Sequence, residues 1–418
     1  MPADPVRRKL FLLTEFGFCF RLFYILYAAK TRYIGFRQKF KMTKHTEHFT
    51  ENLTGRTKLR FLFTAVLIAA DVLFMWLFHR YPSFFFPGYR SVSKLWIGFL
   101  AHISSIFPIA VWDIGAILLF LLFLCSFISV IRARKPFLPW LSAVLLIIAC
   151  LVSEVILGWM LNHYAPPLAD EIGLEVRPAS VSELHEACEY YLQKAAEYAP
   201  LIERSEDGHL VRPQFYAIAG TAGMSYTRIS ETWPVFKGPS VPVKGLTAAG
   251  EYLMYNGIIG IFMPITGEAG VPYTVPSAPL PFTMAHEAAH RTGIASEEEA
   301  NFAAFLACIH SDDIFFRYSG YYSAFSYCYS SLYAADAKLA RSVVQNCETS
   351  TGALLVMLDR REAAEVYQSY ESPLKDISDQ VNDTYLKTFS QESGIRSYGE
   401  VTDDLLAWYR MQEEKNSF

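Results

Sequence analysis

Three long apolar runs between residues 61 and 160 constrain this chain more than any other feature. Phe61 to His79 (FLFTAVLIAADVLFMWLFH) is apolar apart from Asp71. Ile114 to Ile131 (IGAILLFLLFLCSFISVI) is an uncharged run of 18 residues, extendable backward past Asp113. Leu138 to Met160 (LPWLSAVLLIIACLVSEVILGWM) is apolar except for Glu154. At 1.5 Å rise per residue, each is long enough as a helix to cross a hydrocarbon core of about 30 Å. Trp76, Trp96, Trp140 and Trp159 fall near the ends of the runs, where an interfacial belt would place them. The expectation is a multi-pass membrane protein with helices over about 61–79, 107–131 and 138–160, within a membrane region of residues 59–161.

Charge divides the chain at the same place. Residues 1–161 carry 19 Lys/Arg against 7 Asp/Glu, and the remainder 18 against 34. The basic half is also the apolar half, so its charge reads as membrane topology. The acidic half has neither a basic stripe nor a Gly-rich phosphate loop, and nucleic acid is not an expected partner. Nine Lys/Arg crowd residues 30–60 and three stand in the short RARK loop at 132–135, whereas residues 80–105 hold three. The positive-inside rule then puts residues 1–58 and RARK in the cytoplasm and everything after Met160 outside it, with the cell membrane as the location. KLFLLTEFGFCFRLFYILYAAK, within residues 1–41, is apolar but broken by Glu15 and Arg21. It reads equally as an extra span, an interfacial helix, or sequence upstream of a start at Met42. Asp71, Asp113 and Glu154 are costly in or beside a bilayer. They read either as a polar pathway or as groups held by partners in the bundle and at its interfaces.

From residue 162 to 418 the pattern is that of a folded domain outside the membrane. SVSELHEACEYYLQKAAEYAPLIE has helical spacing behind capping serines. Residues 205–250 are rich in Gly, Pro, Ser and Thr and read as loops with short strands. GIIGIFMPITG (257–267) reads as a short strand, a candidate edge on which an extended peptide could lie. From about residue 296 onward the pattern is mostly helical, which gives an α+β, mainly helical domain. Cys188, Cys308, Cys328 and Cys347 allow one or two disulfides without implying them.

The chemistry concentrates in TMAHEAAHRTGIASEEEANFAAFLAC, residues 283–308. His286-Glu287-Ala288-Ala289-His290 fits HExxH. Residues four apart on a helix share a face, so both imidazoles can reach one cation. Glu287 is displaced around the helix, where it can approach a metal-activated water as a general base without binding the metal. Gly293 supplies a helix stop that redirects the chain, and Ser296-x-x-Glu299 reads as a capping box opening the next helix. Glu297 is the expected third ligand, with Glu299 next and His310 after it. Asn301, one turn on from Glu297, is placed to orient a ligand histidine. In the tyrosine-rich FFRYSGYYSAFSYCYSSLY, Arg317, Tyr318, Tyr321 and Tyr322 are candidate transition-state donors or, alternatively, core aromatics.

The segments GIIGIFMPITGEAG, PLPFTMAHEAAHRTGIASEEEANFAAFLAC, FRYSGYYSAF, VNDTYLK and GIRSYGE resemble, in order, a bacterial family defined only as a domain of unknown function. Its members have three N-terminal spans and an outer HExxH domain. The HExxH…ExxAN pairing is also similar to glutamate-ligand (gluzincin-like) zinc peptidases. That similarity implies a zincin-like fold, His286, His290 and Glu297 as ligands of one Zn2+ per chain, and Glu287 as base. Asn301 departs from the Asp that many such enzymes carry. The expected function is a membrane-anchored zinc metallopeptidase acting on a peptide or protein. The alternative is a membrane-anchored binding or sensor module that keeps a structural zinc.

Overall fold

The computed structural model describes residues 54–345, 350–372 and 397–416. The reading of residues 1–53 and any pairing of Cys347 lie outside the described residues. The chain divides into two compact units. In the smaller, residues 54–64 and 135–146, Arg60 Nη1 donates to the Pro139 carbonyl (3.3 Å) and Phe137 packs on Trp140.

The larger unit holds residues 65–134 and 147 onward. Helices α1 (Gly55–Arg80), α3 (Val111–Arg132) and α4 (Phe137–Gly158) are long and apolar enough to cross a membrane, as the three runs predict. Their outward faces are mostly Leu, Ile, Val and Phe. The acidic residues in these helices have partners. Ser153 donates to Asp71 (2.7 Å), and Trp96 Nε1 donates to Glu154 (3.1 Å). Asp113 accepts from the amides of Thr247, Ala248 and Ala249. An element that the sequence does not announce is α2 (Pro82–Ser105), a 24-residue helix between the first two spans.

Beyond α4, a 3-10 turn (Met160–Tyr164) and α5 (Leu168–Ile172) lead into α6 (Val181–Tyr198). Ser180 and Glu183 close a reciprocal capping box on α6. Next comes α7 (Phe215–Thr232), a helix inside the stretch expected to be loops and strands. Its glycines misled. A Cβ on Gly223 would stand 2.1 Å from the Val241 carbonyl oxygen, so the glycine permits close approach of a neighbouring chain rather than a turn.

The sheet is small. β1 (Lys244–Leu246) runs parallel to β3 (Glu268–Pro272), and β2 (Ile261–Met263) pairs antiparallel on its other side, after α8 (Gly250–Tyr255). The order β1-β3-β2 leaves β2 at an edge. Then follow α9 (Leu280–Arg291), α10 (Glu297–Ile309), α11 (Ile314–Ala335), α12 (Ala337–Gln345), α13 (Thr351–Ser369) and α14 (Ser397–Asn416). Helices α9 and α10 sit in the core, covered by α7, α11 and α14. Alanines at 288, 289, 303, 304 and 307 allow the close packing of α9 and α10, and each is buried. Cys308 and Cys328 are thiols buried in that core. The domain is mainly helical with a small sheet, as composition and periodicity predict.

Candidate metal centre

The centre is built by two helices and the turn between them. His286 and His290 stand one turn apart on α9, with their Nε2 atoms 3.1 Å apart. After Arg291 the helix stops. Gly293 takes φ +95°, its amide donates to the His290 carbonyl, and the Ile294 amide reaches back to Ala289. That left-handed turn does two jobs. It aims α10 back at the histidines, and it sets the Ile294 carbonyl 2.7 Å from His290 Nδ1, which donates to it. With Nδ1 carrying a proton, Nε2 is the atom left to face a cation.

Ser296 caps α10 by accepting the Glu299 amide, and Glu297 is the first residue of the helix. The Glu297 carboxylate lies 3.1 Å from His286 Nε2 and 3.5 Å from His290 Nε2. The three ligand atoms all lie within 4.8 Å of one another. A tetrahedral zinc about 2.0–2.1 Å from each donor would hold donors about 3.3 Å apart, so the spacing fits that ion. Two imidazole nitrogens pointed at each other at 3.1 Å also need something positive between them, a proton or a metal.

The electrostatics follow from burial and proximity. Burial opposes the charge on His290, but Glu297 and Glu287 beside it raise its pKa to about 9. Burial likewise opposes ionisation of Glu297, yet the two histidines hold its carboxyl well below the usual range. Glu287 is buried, and burial raises it to about 7 against the pull of His286 and His290. That places a carboxylate where it can both accept and return a proton near neutrality.

Glu287 is positioned by a neighbour that spacing does not reveal. A Cβ on Gly260, just before β2, would stand 2.3 Å from Glu287 Oε1, so the carboxylate packs directly on bare backbone at the sheet edge. Trp159, at the end of the third span, donates its indole N–H to the His290 carbonyl (3.0 Å) and meets the His290 ring edge-on. His163, one turn further, is close enough to interact electrostatically with His290 and Glu297. Neither Trp159 nor His163 carries a sequence signal toward residue 290. Both look like the tail of an apolar run.

Several expected site residues are directed elsewhere. The Tyr327 hydroxyl donates to the Asn301 side-chain oxygen (3.0 Å), so Asn301 is held by α11, and the histidine support comes from Ile294 instead. Tyr318 is fully buried, and its hydroxyl donates to Asp359, which also takes a bidentate pair from Arg204. Arg317 Nε donates to the Ser311 carbonyl (2.5 Å), and Tyr321 stacks on Tyr198. These three, expected as transition-state donors, make their contacts in the packing of α11 and are not brought into the three-residue cluster. The capping box is half made. The Glu299 side chain leaves α10 to accept the Leu168 amide (2.8 Å), and burial raises its carboxyl to about 7. His310 lies between Trp233 and Trp408, away from the ligands.

A family model for proteins of unknown function, DUF3810, matches residues 89–406. The chain belongs to the DUF3810 family. The DUF3810 match begins inside α2 and runs into α14, so it takes in most of α2, two of the three candidate spans and the whole of the centre. No curated protein and no solved structure matches the chain.

Proposed function

We propose that this protein is a membrane-anchored zinc metallopeptidase. Its zincin-like domain, residues 162–418, would stand outside the cytoplasm, and one Zn2+ per chain would be held by His286, His290 and Glu297. One observation carries the reading. Two helices and a glycine turn bring three metal-type donors to tetrahedral spacing, with a buried carboxylate of raised pKa beside them. Bound there, zinc would supply the Lewis acidity that lets a water attack a carbonyl carbon near neutral pH. Glu287 would accept the proton of that water and pass it to the leaving amine. Gly260 holds the carboxylate in place, and β2 offers an edge along which an extended polypeptide can pair. The extracytoplasmic placement follows from the Lys/Arg of residues 30–60 and of the RARK loop.

The reading also favours an enzyme over a module with a structural zinc. Among the described residues the group is these three side chains, which leaves a coordination position for water. The test is paired. Full-length protein purified in detergent is expected to hold one zinc, and His290→Ala and Glu297→Ala to lose it. Glu287→Gln is expected to keep the zinc while peptide hydrolysis falls by about 10²–10⁴-fold. Undiminished hydrolysis in Glu287→Gln would sink the mechanism, and zinc retained in both ligand variants would sink the site.

A further inference from the structure

The second helix, α2, has two unlike faces. One is bonded to the rest of the large unit. Arg90 forms a bidentate pair with Glu171 (2.5 and 2.7 Å), and Lys94 Nζ donates to the carbonyls of Val235 and Lys237. Ser93 Oγ donates to the Gly158 carbonyl and accepts from Asn162. Ile97 and Ala101 are buried, with Gly267 against their backbone at a distance that leaves no room for a Cβ. The other face is open and mainly apolar, with His102 at one edge bonded to the Gly98 carbonyl. Phe84, Val92, Leu95, Phe99 and Ile103, with Ile106 just after the helix, are exposed, Phe84 to 80% and Leu95 to 75%. At 100° per residue these six positions fall within one arc of about 100°, opposite the bonded face.

The connections say what covers that arc. A single residue, Tyr81, joins α2 to the end of the first candidate span, and residues 106–110 join it to the start of the next. Two successive spans meet the same side of a bilayer, so both ends of α2 are tethered at one membrane boundary. A helix of 24 residues is about 36 Å long, and with both ends at the surface it must lie along it. A single apolar face on a helix lying in that plane is the arrangement of an interfacial membrane helix.

We infer that α2 is an in-plane membrane helix that sinks its Val92–Leu95–Phe99–Ile103 face into the lipid leaflet beneath the large unit. Ile97 of α2, Trp159, Phe262 of β2 and Ala295 form one buried cluster, and Trp159 bonds the His290 carbonyl, so the helix in the lipid and the turn that follows His290 share a packed layer. The centre therefore stands at the membrane surface. If the peptidase reading holds, its substrates are polypeptide segments that lie close to lipid.

The test uses the full chain in phosphatidylcholine–phosphatidylglycerol vesicles, with a photoreactive benzophenone side chain in place of Leu95 or Phe99. Leu119, exposed on the third helix, and Tyr216, exposed on α7, serve as positive and negative controls. Lipid adducts at Leu95 and Phe99 in the yield seen at Leu119, with none at Tyr216, are expected. Crosslinks from Leu95 or Phe99 to a second copy of the chain would overturn the inference. So would loss of lipid adducts at both positions while Leu119 still gives them. Neither zinc nor hydrolysis enters the measurement, so its failure is separate from failure of the peptidase reading.

Discussion

A proton on His290 competes with any cation for the same nitrogen. Glu297 and Glu287 raise the imidazole to about 9, so below that pH the metal-free site holds a proton that zinc must displace. The sign is fixed by this competition. Affinity for zinc is expected to fall by up to about tenfold for each pH unit below about 9 until a second group protonates. A chelator-competition titration from about pH 6 to 9 checks it, and a flat affinity would mean that His290 is not a ligand. Asp359 offers a second test at the residue scale, away from the chemistry. Its buried carboxylate holds Arg204 and Tyr318 together, so Asp359→Ala strands a guanidinium and is expected to cost about 3–5 kcal/mol in chemical denaturation. Hydrolytic activity per folded molecule should stay near wild type, as befits a tyrosine that packs the core rather than the reaction.

At the scale of elements, the contact between Gly260 and α9 makes the next prediction. Gly260→Ala forces a Cβ into the Glu287 carboxylate while leaving the three candidate metal donors untouched. The variant is expected to keep its zinc content and lose hydrolysis by about 10²-fold or more, since a small misplacement of a reacting group can cost that much. Loss of zinc instead would show that the sheet edge supports the ligands rather than the base. The elements also show what a sequence can reveal. HExxH, Gly293 and Ser296 were legible because each works over three or four residues, within one helix turn or one cap. The role of Gly260 was not, because its partner lies on another element. Gly223 pointed the wrong way for α7, since a glycine that admits a close neighbour looks like a glycine that makes a turn. Helix α2 was hidden by Pro87 and Gly88 and by polar residues that serve one face. Arg317, Tyr318 and Tyr321 announced donors but not direction, and direction was set by Ser311, Asp359 and Tyr198.

At the scale of the whole molecule, the head of α3 and the sheet, both within the large unit, are joined by charge as well as by chain. Lys244 of β1 and Glu268 of β3 form a buried pair (2.6 Å). Lys244 also donates to the carbonyls of Ser104 and Ile109, and Glu268 accepts the amides of Val111 and Trp112 at the head of α3. Asp113 returns the clasp by holding the amides of residues 247–249. A chain trimmed to residues 162–418 keeps the Lys244–Glu268 pair but loses Ser104, Ile109, Val111, Trp112 and Asp113, which leaves two charges half-satisfied in the core. It is expected to melt without a cooperative transition, whereas the full chain in detergent melts with one, and differential scanning calorimetry distinguishes the two. The clasp has a consequence for how the protein is made. Residues 104–113 are synthesised long before Lys244 and Glu268, and which side of the bilayer they reach is settled as the first spans insert. If that hairpin were threaded backward, the sheet would form on one side of the bilayer with its partners on the other. The buried lysine and glutamate would then keep only each other, with the rest of their hydrogen bonds unmade, and the domain would close at a heavy cost. Correct insertion is thus a condition written into the core, so that a mis-threaded copy announces itself by folding poorly.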